Sequence, residues 1–316
     1  MLEQKPSLGD IKQAHLRINP YILRTPILSS HSINDIANCD IQFKCENFQK
    51  IGAFKMRGAS NYVFSIRPEE RNTGFATHSS GNHAQAVALA AKVAGTQAHI
   101  VMPSDAPEIK KKAVANYGAN ITFCEPTEAA RISTCEEVIE KTGARFIHPF
   151  NDYNVIAGQA TAAKELIEDG NDFDAILTPV GGGGLAAGTL LSTKYLTPQT
   201  DVYLAEPEQV NDAFQSFKSK KIVPATGKKT VADGLKTSLG EKNFEIITES
   251  AKDILTVSEE EIISAMRLIW ERMKIVIEPS CAVPLAAVLR YNSVFSGKKL
   301  GIILTGGNVD LERLPF

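Results

Sequence analysis

The 316-residue sequence predicts an α/β protein built on parallel sheets covered by helices. Three observations lead to this prediction. Short strand-like segments alternate with helical ones along most of the chain. Several strands, such as FDAILTPV at 173–180, are apolar over most of their length, which is typical of strands buried on both faces. Glycine-rich turns follow three of the strands, and ligands of open parallel sheets bind at such turns.

The first half of the chain contains five predicted strands and three predicted helices. The predicted helix at 82–95 is alanine-rich and ends at a glycine. The predicted helix at 107–118 begins with a proline and ends with a glycine. The strands are predicted at 41–46, 73–80, 98–103, 120–125 and 144–149. The helices are predicted at 52–66, 82–95 and 107–118.

The second half continues the same alternation. A helix is predicted at 154–169 and a buried strand at 173–180. Four glycines at 181–184 then run into a helix that extends to 196. A strand at 201–207 follows, and the segment 300–310 is predicted as a strand and a glycine turn.

Composition excludes several classes of protein. The formal net charge of −2 gives no electrostatic footprint for nucleic acid, and no run of about 18 apolar residues predicts a membrane span. The polar N-terminus lacks the apolar region of a signal peptide. Five scattered cysteines without a CxxC pair are typical of reduced, buried thiols, so we expect a cytoplasmic protein.

Lys55 stands out among the lysines because of its neighbours. It lies in ENFQKIGAFKMRG, directly after Phe54 and among glycines. Most lysines are solvated surface residues, and such a residue needs no setting of small and aromatic side chains. A lysine that loses its proton and attacks a carbonyl does need one, and a neighbouring cation such as Arg57 could depress its pKa. We therefore take Lys55 as a candidate nucleophile.

The four glycines of PVGGGGLAAG lie between a predicted strand and a predicted helix. Uncovered N–H groups and the positive end of the helix dipole together bind a phosphate group. A tight, closely packed turn is the structural alternative, but four successive glycines exceed what packing requires. The stretch also fits G-x-G-x-x-A ending at Ala186, with Glu206 where an acid would bind ribose. An NAD-dependent dehydrogenase that uses the GGGG loop is thus an alternative, although it leaves Lys55 unexplained.

A second turn, SSGNH at 79–83, joins a strand to a helix. Two hydroxyl groups, exposed amides and a helix N-terminus suit a carboxylate. A simple N-cap would need only one such side chain, so we favour a binding site. A reactive lysine, a site for one phosphate and a site for a carboxylate together indicate pyridoxal 5'-phosphate, whose aldehyde forms a Schiff base with a lysine.

The chain resembles the β-family, or fold type II, of pyridoxal-phosphate enzymes, and within it the serine racemases and serine/threonine dehydratases. The resemblance rests on seven stretches between residues 46 and 310, in the family's order: ENFQKIGAFKMRGA, HSSGNHAQA, VIAGQATAAKEL, PVGGGGLAAG, VADGLK, ERMKIVIEPS and LTGGNVD. It implies two open twisted α/β domains, as in tryptophan synthase β, with the cofactor in the cleft. The larger domain would comprise residues 1–64 and 151–316, and a smaller mobile domain residues 65–150.

The resemblance also implies roles for individual residues. Lys55 would bind the cofactor and act as a base on one face, and Ser80 would face the cofactor from the other side. The implied cofactor-binding residues are Phe54, Lys55, Asn82, Gly181, Gly182, Gly183, Gly184, Leu185, Glu278 and Thr305. The implied substrate-binding residues are Ser79, Ser80, Gly81, His83 and Arg131. A divalent cation, Mg²⁺ or alternatively Ca²⁺ or Mn²⁺, would be held by Glu206, the carbonyl of Val210 and Asp212.

The expected activity is β-elimination of serine- or threonine-like hydroxyamino acids, together with serine racemisation. Phe150 stands where mammalian-type racemases carry asparagine, which weakens the pure racemase interpretation. Threo-3-hydroxyaspartate is the alternative substrate, since Arg131 could pair with a second carboxylate. ATP is a candidate effector and a homodimer is expected by analogy. A ligand-sensing protein without turnover is the alternative outside enzymology. Because the chain stops at Phe316, feedback control by isoleucine through a further domain is not expected.

Overall fold

The computed structural model describes residues 1–106, 108–227 and 229–316, and its strands form two separate sheets. The large sheet has six strands in the order β1-β2-β10-β7-β8-β9 and the small sheet has four in the order β5-β4-β3-β6. In chain order the strands are β1 Ile27–Leu28, β2 Asp40–Cys45, β3 Phe75–His78, β4 Ala98–Pro103, β5 Asn120–Cys124, β6 Arg145–Phe146, β7 Ala175–Pro179, β8 Asp201–Pro207, β9 Asp253–Val257 and β10 Lys299–Leu304.

Helices connect the strands and cover both sheets. They are α1 Leu8–Ile18, α2 His31–Ala37, α3 Lys55–Ser65, α4 Asn82–Val93, α5 Glu108–Asn116, α6 Glu128–Thr142, α7 Tyr153–Asp169, α8 Gly184–Leu196, α9 Asp212–Ser219, α10 Glu241–Ser250, α11 Glu259–Met273, α12 Pro279–Arg290 and α13 Asn292–Phe295. The predicted α/β class is thereby confirmed. Pro107, with which the predicted third helix begins, lies outside the described residues.

Every strand pair is parallel except β1 with β2. Because parallel strands share their direction, the carboxyl ends within each sheet lie at one edge. The segments after β3, β7 and β10 are the SSGNH turn, the glycine loop and the turn at Thr305. The three turns singled out in the sequence therefore lie at such edges.

The short strand β6 departs from the sequence prediction. A strand was expected over residues 144–149, but β6 covers only Arg145–Phe146. The chain turns after it because the N–H groups of Phe150 and Asn151 donate to the side chain of His148 rather than to a neighbouring strand. The segment after β6 is consequently a loop.

The small sheet is built entirely from strands within the 65–150 segment assigned to the smaller domain. Its core extends beyond that segment, however, because Met56, Ala59 and Val155 pack with Phe75 and Ala84. The domain boundaries at 64/65 and 150/151 stay a prediction. All five cysteines are free and buried, as expected. Within the described residues, no helix is long and apolar enough to cross a membrane.

Candidate active site

A cavity of about 380 Å³ is lined by residues that follow strands of both sheets. Every residue predicted to bind cofactor or substrate lies on its wall, from the Lys55 segment, the two turns, helix α6, the start of α12 and the turn after β10. Those residues are Phe54, Lys55, Ser79, Ser80, Gly81, Asn82, His83, Arg131, Gly181, Gly182, Gly183, Gly184, Leu185, Glu278 and Thr305. The cation-binding residues predicted at 206, 210 and 212 are not part of this wall.

The backbone before Lys55 is fixed to the turn after β10. The N–H of Phe54 donates to the carbonyl oxygen of Thr305 at 3.0 Å, and the N–H of Gly307 donates to that of Gly52 at 2.9 Å. Ile51 has φ 62°, a conformation that costs a β-branched residue about 1–3 kcal/mol. This turn places Lys55 in the first turn of α3, with its side chain in the cavity.

The amine of Lys55 is a weaker base than that of a solvated lysine. Burial lowers its pKa to about 8, although the negative charge of Glu278 opposes the change. The sequence pointed to Arg57 as the cause, and this is wrong. Arg57 is fully buried and holds two carboxylates, those of Glu46 and Glu165, so its charge is neutralised within the core. With this pKa, roughly a tenth of the Lys55 amine is unprotonated at pH 7, far more than for a solvated lysine.

The glycine loop packs more tightly than the sequence suggested. A Cβ at Gly182 would lie 2.4 Å from the ring of Phe150, and one at Gly181 would lie 2.9 Å from Leu235. Gly183 has φ +91°, and Gly184 also meets Phe150, at 3.1 Å. Packing thus accounts for all four glycines, and the argument that their number exceeds what packing requires is wrong.

The N–H groups of the glycine loop are nevertheless available to a ligand. Within the described parts of the chain, no hydrogen bond joins the N–H groups of residues 181–185 to an acceptor in another residue. The loop leads directly into α8, whose dipole is positive at this end. These five N–H groups fit the phosphate of pyridoxal 5'-phosphate.

The SSGNH turn does not cap helix α4 with a side chain, because its N-cap is Gly81. Ser79 is hydrogen-bonded within the protein. Its N–H donates to the carbonyl oxygen of Val101, and its Oγ accepts from the N–H of Gly81. The N–H groups of Ser80, Asn82 and His83 have no acceptor in the described structure. The turn therefore offers a carboxylate three N–H groups and the Ser80 hydroxyl.

A polar network crosses the cavity wall beside the turn. Asn82 Nδ2 lies 3.1 Å from both carboxylate oxygens of Glu278, and Asn82 Oδ1 accepts from Asn308 Nδ2 at 2.8 Å. Burial raises the pKa of Glu278 to about 7, against the effect of the Asn82 hydrogen bond. Asn308 also donates to the carbonyl oxygen of Ile51, so the network joins α4 to the segment before Lys55.

Thr305, on the cavity wall, pairs with the buried Cys281 behind it. Cys281 Sγ lies 3.2 Å from Thr305 Oγ1 and also bonds the carbonyl oxygen and the N–H of Gly306. Burial raises the pKa of the thiol, so Cys281 stays protonated at neutral pH. The side chain that pairs with Thr305 is therefore neutral.

Arg131 and His83 differ in whether their side chains have ionic or hydrogen-bond partners among the described residues. Arg131 has no carboxylate within 4.0 Å among the residues described, and its side chain faces the cavity. His83 is buried and its Nε2 lies 3.2 Å from the carbonyl oxygen of Ile147. That contact fixes the start of α4 against the loop after β6, which gives His83 a structural role whatever else it binds.

The residues predicted to hold a cation lie at the end of β8. Glu206 and Asp212 are buried, and the Glu206 carboxylate accepts hydrogen bonds from the N–H groups of Ala213 and Phe214. Neither carboxylate oxygen of Asp212 has a partner in another described residue. Burial raises the pKa of Asp212 to about 6 and that of Glu206 well above its ordinary value.

Several polar residues of the cavity wall were missed in the sequence, among them His78, His148, Asp233 and Asn308. His78 and Asn308 lie inside stretches that carried the family resemblance, HSSGNHAQA and LTGGNVD, and Asp233 lies inside VADGLK. His148 precedes Pro149 and Phe150, where only Phe150 was considered. In each case the stretch was visible, and the direction of the side chain was not.

The fold and the site define a class of enzyme that holds an aldehyde cofactor on a lysine and its phosphate on a glycine loop. The chain matches the family described as pyridoxal-phosphate dependent enzymes over residues 18–306 and belongs to it. It is 48% identical to the beta-hydroxyaspartate dehydratase of Paracoccus denitrificans, over 98% of this chain and 99% of that protein.

Solved structures give the same result. The serine racemase of Dictyostelium discoideum superposes with a TM-score of 0.92 at 48% identity, over 96% of this chain and 99% of that one. The serine racemase of maize superposes with a TM-score of 0.96 at 41% identity, over 98% and 95% of the two chains. A threonine deaminase superposes with a TM-score of 0.92 at 42% identity, over 97% and 99%. The predicted family and fold are confirmed, and the family favours pyridoxal phosphate over a dinucleotide.

Proposed function

We propose that this enzyme dehydrates serine- and threonine-like hydroxyamino acids to a keto acid and ammonia, and racemises serine at the same site. One observation carries the proposal. The weakly basic amine of Lys55, the open N–H groups of the glycine loop and those of the SSGNH turn line the same cavity. Relatives named for dehydration and for racemisation match nearly the whole chain.

The proposed chemistry depends on proton transfers at the α-carbon. When bound, pyridoxal phosphate supplies an aldehyde that forms an imine with an amine and a ring that takes up the electron pair left at the α-carbon. Lys55 Nζ removes the α-proton, while the SSGNH turn holds the substrate carboxylate. Thr305 would meet the ring nitrogen with a neutral hydroxyl. A hydroxyl keeps that nitrogen protonated less well than a carboxylate would, so the ring would hold the electron pair only briefly.

The fate of that electron pair decides between the two activities. If the β-hydroxyl leaves, the products are a keto acid and ammonia. If Ser80 Oγ delivers a proton from the side opposite Lys55, the α-carbon is inverted. We propose that both occur and that the balance depends on how well Ser80 donates its proton.

Threo-3-hydroxyaspartate is the second candidate substrate, and one observation favours it. Arg131 faces the cavity with no carboxylate partner among the described residues, so it is free to pair with a β-carboxylate. Two relatives carry names of this type, from Paracoccus denitrificans at 48% identity and from Saccharomyces cerevisiae at 45%. Serine and threonine lack that second carboxylate.

A substrate panel tests the proposal. Purified enzyme with pyridoxal phosphate is incubated separately with L-serine, D-serine, L-threonine and L-threo-3-hydroxyaspartate. Keto acid is followed by coupled reduction and chirality by chromatography. We expect keto acid from at least one hydroxyamino acid and D-serine from L-serine. A cofactor-loaded protein that turns over none of them would instead be the ligand-sensing protein of the alternative.

We further propose that Glu206, Asp212 and the carbonyl oxygen of Val210 hold a divalent cation, Mg²⁺, Ca²⁺ or Mn²⁺. Two adjacent buried carboxylates without a cationic partner destabilise the folded protein unless they are protonated or bind a cation. Oxygen ligands suit these hard cations. In the described part of the chain no group of three or more His, Cys, Asp or Glu side chains is placed to hold a metal ion, so the carbonyl is part of the proposed site.

The remaining proposals concern the setting of the enzyme. We propose a cytoplasmic homodimer that acts on small amino acids and takes ATP as an effector. Five free, buried cysteines support a reducing compartment. Light scattering of the purified protein tests the dimer, and the rate of keto acid formation with and without ATP tests the effector.

A further inference from the structure

His148 lies in the loop between β6 and α7, and its hydrogen bonds define its protonation. Nδ1 accepts from the N–H of Phe150 at 3.2 Å and from the N–H of Asn151 at 2.9 Å. A ring nitrogen that accepts hydrogen bonds carries a lone pair and no proton. The ring is therefore neutral with its hydrogen on Nε2, because neutral imidazole has one N–H.

The ring of His148 is held in place by its neighbours. Its centroid lies 4.7 Å from that of Phe150 and 5.9 Å from that of Phe146, and both contacts are edge-to-face. The next residue, Pro149, accepts a hydrogen bond of 2.8 Å from Lys55 Nζ. His148 is thereby fixed on the wall beside the amine of Lys55.

Burial lowers the pKa of His148 to about 4, and the positive charges of His78, Lys55 and Lys242 act in the same direction. The ring thus keeps its neutral form at neutral pH. Its Nε2–H makes no hydrogen bond to any described residue, whereas Nε2 of His83 is paired with a carbonyl. His148 lines the cavity, so this donor is available to a bound ligand.

The other polar parts of the expected ligands already have partners. The glycine loop offers N–H groups to the phosphate and the SSGNH turn offers them to the α-carboxylate. We propose that the Nε2–H of His148 donates a hydrogen bond to the β-hydroxyl of the substrate and so favours its departure. This proposal rests on the proposed dehydration.

His148 donates a hydrogen bond but transfers no proton, because the neutral ring would have to become an anion. As the Cβ–O bond breaks, the departing hydroxide takes its proton from the Lys55 ammonium.

Two substitutions separate the functions of the two ring nitrogens. In H148N the side-chain oxygen lies about where Nδ1 lies and keeps the hydrogen bonds of the loop, while the Nε2–H is lost. In H148Q the amide lies about where Nε2 lies, while the acceptor for the loop is lost. H31N, at an exposed histidine in α2, is the matched control.

The experiment follows holoenzyme acting on L-serine in D₂O. Proton NMR gives α-deuterium incorporation into L-serine and D-serine, which reports on removal of the α-proton by Lys55 and its replacement from either face. Keto acid formation reports on loss of the hydroxyl. We expect H148N to lower keto acid formed per α-proton exchanged by about tenfold to a hundredfold, as for a lost hydrogen bond to a group that gains charge. H148Q should restore part of that ratio, and H31N should leave it unchanged.

The outcomes are distinct. Cofactor absorbance and melting temperature show whether each variant is folded and loaded. A ratio in H148N within twofold of wild type would overturn the proposal, as would variants that both lose the cofactor, because His148 would then support only the loop. A wild-type enzyme that exchanges the α-proton but makes no keto acid from any hydroxyamino acid contradicts the proposed function instead.

Discussion

Lys55 Nζ donates a hydrogen bond of 2.8 Å to the carbonyl oxygen of Pro149. This contact joins the start of α3 to the loop after β6 and directs the amine into the cavity. Burial lowers the pKa of Lys55 to about 8, so the amine that must attack an aldehyde is partly neutral near physiological pH.

The first prediction concerns this amine. K55A should abolish keto acid formation and racemisation, because the Lys55 amine is the proposed partner of the cofactor aldehyde and the proposed base at the α-carbon. The rate at which cofactor-free enzyme captures pyridoxal phosphate should rise with pH and level off above about 8, followed by absorbance. The control is K92A, at an exposed lysine of α4. Full activity in K55A would refute the assignment.

Ser80 is predicted to be required for racemisation and not for formation of the keto acid. Its hydroxyl is the proposed proton donor on the face opposite Lys55, so S80A should stop formation of D-serine from L-serine. Formation of keto acid from L-serine should persist, because Lys55 removes that α-proton. Both products can be measured in one reaction. Equal loss of the two activities in S80A, with the cofactor still bound, would contradict the two-face picture.

Much of this site could be predicted because its parts lie in short stretches of sequence. Glycines and serines at strand ends predict the turns at 79–83 and 181–184. The partners of Arg57 could not be found in this way, since Glu165 lies 108 residues further along the chain. The tautomer of His148 depends on the N–H groups of Phe150 and Asn151, in a loop that begins where the sequence suggested a strand up to residue 149. The packing of Phe150 against Gly182 was hidden for the same reason.

The carboxyl group of Glu278 should weaken the cofactor-free protein at neutral pH. Burial raises its pKa in the folded state to about 7, above the ordinary 4.5. The folded protein therefore binds this proton more tightly than the unfolded chain does. Its contribution to stability is fully present below about pH 4.5 and is lost as the pH rises through about 7.

E278Q removes that titration and keeps the shape of the side chain. At about pH 8 its free energy of unfolding should exceed that of the wild type by up to about 3 kcal/mol, because each pKa unit corresponds to about 1.4 kcal/mol. The difference should vanish near pH 4.5. Urea unfolding at the two pH values measures both. A difference that does not change with pH would show that the carboxyl group is not responsible.

Arg57 should be one of the most costly side chains to remove. It is fully buried and makes paired hydrogen bonds of 2.7–2.8 Å to Glu46 and to Glu165, and Lys44 Nζ also donates to Glu165 at 2.7 Å. R57M would leave two buried carboxylates with one cation. We expect a loss of about 3–5 kcal/mol in the free energy of unfolding.

The matched control for Arg57 is R67M, since Arg67 forms an exposed ion pair with Glu70. That pair is exposed to solvent, so it should contribute little to stability. Although burial opposes it, hydrogen bonds from His15 and Arg57 hold the pKa of Glu165 well below its usual range. Stability should therefore fall as the pH drops below about 4.5, and E165Q should be less sensitive to acid. If R57M and R67M unfolded at the same urea concentration, the buried network would be unimportant for stability.

The last prediction concerns the cation proposed at Glu206 and Asp212. Mg²⁺, Ca²⁺ or Mn²⁺ should raise the melting temperature of EDTA-treated protein, because the cation binds the folded state and neutralises two buried carboxylates. Burial raises the pKa of Asp212 to about 6, so protons should compete and the effect should weaken below that pH. D212N should abolish the response, whereas D310N, outside this pair, should keep it. A cation response that survives in D212N would place the ion elsewhere. Stabilisation of D212N without any cation would confirm that the Asp212 carboxylate is the costly group, since its oxygens have no partner in another described residue.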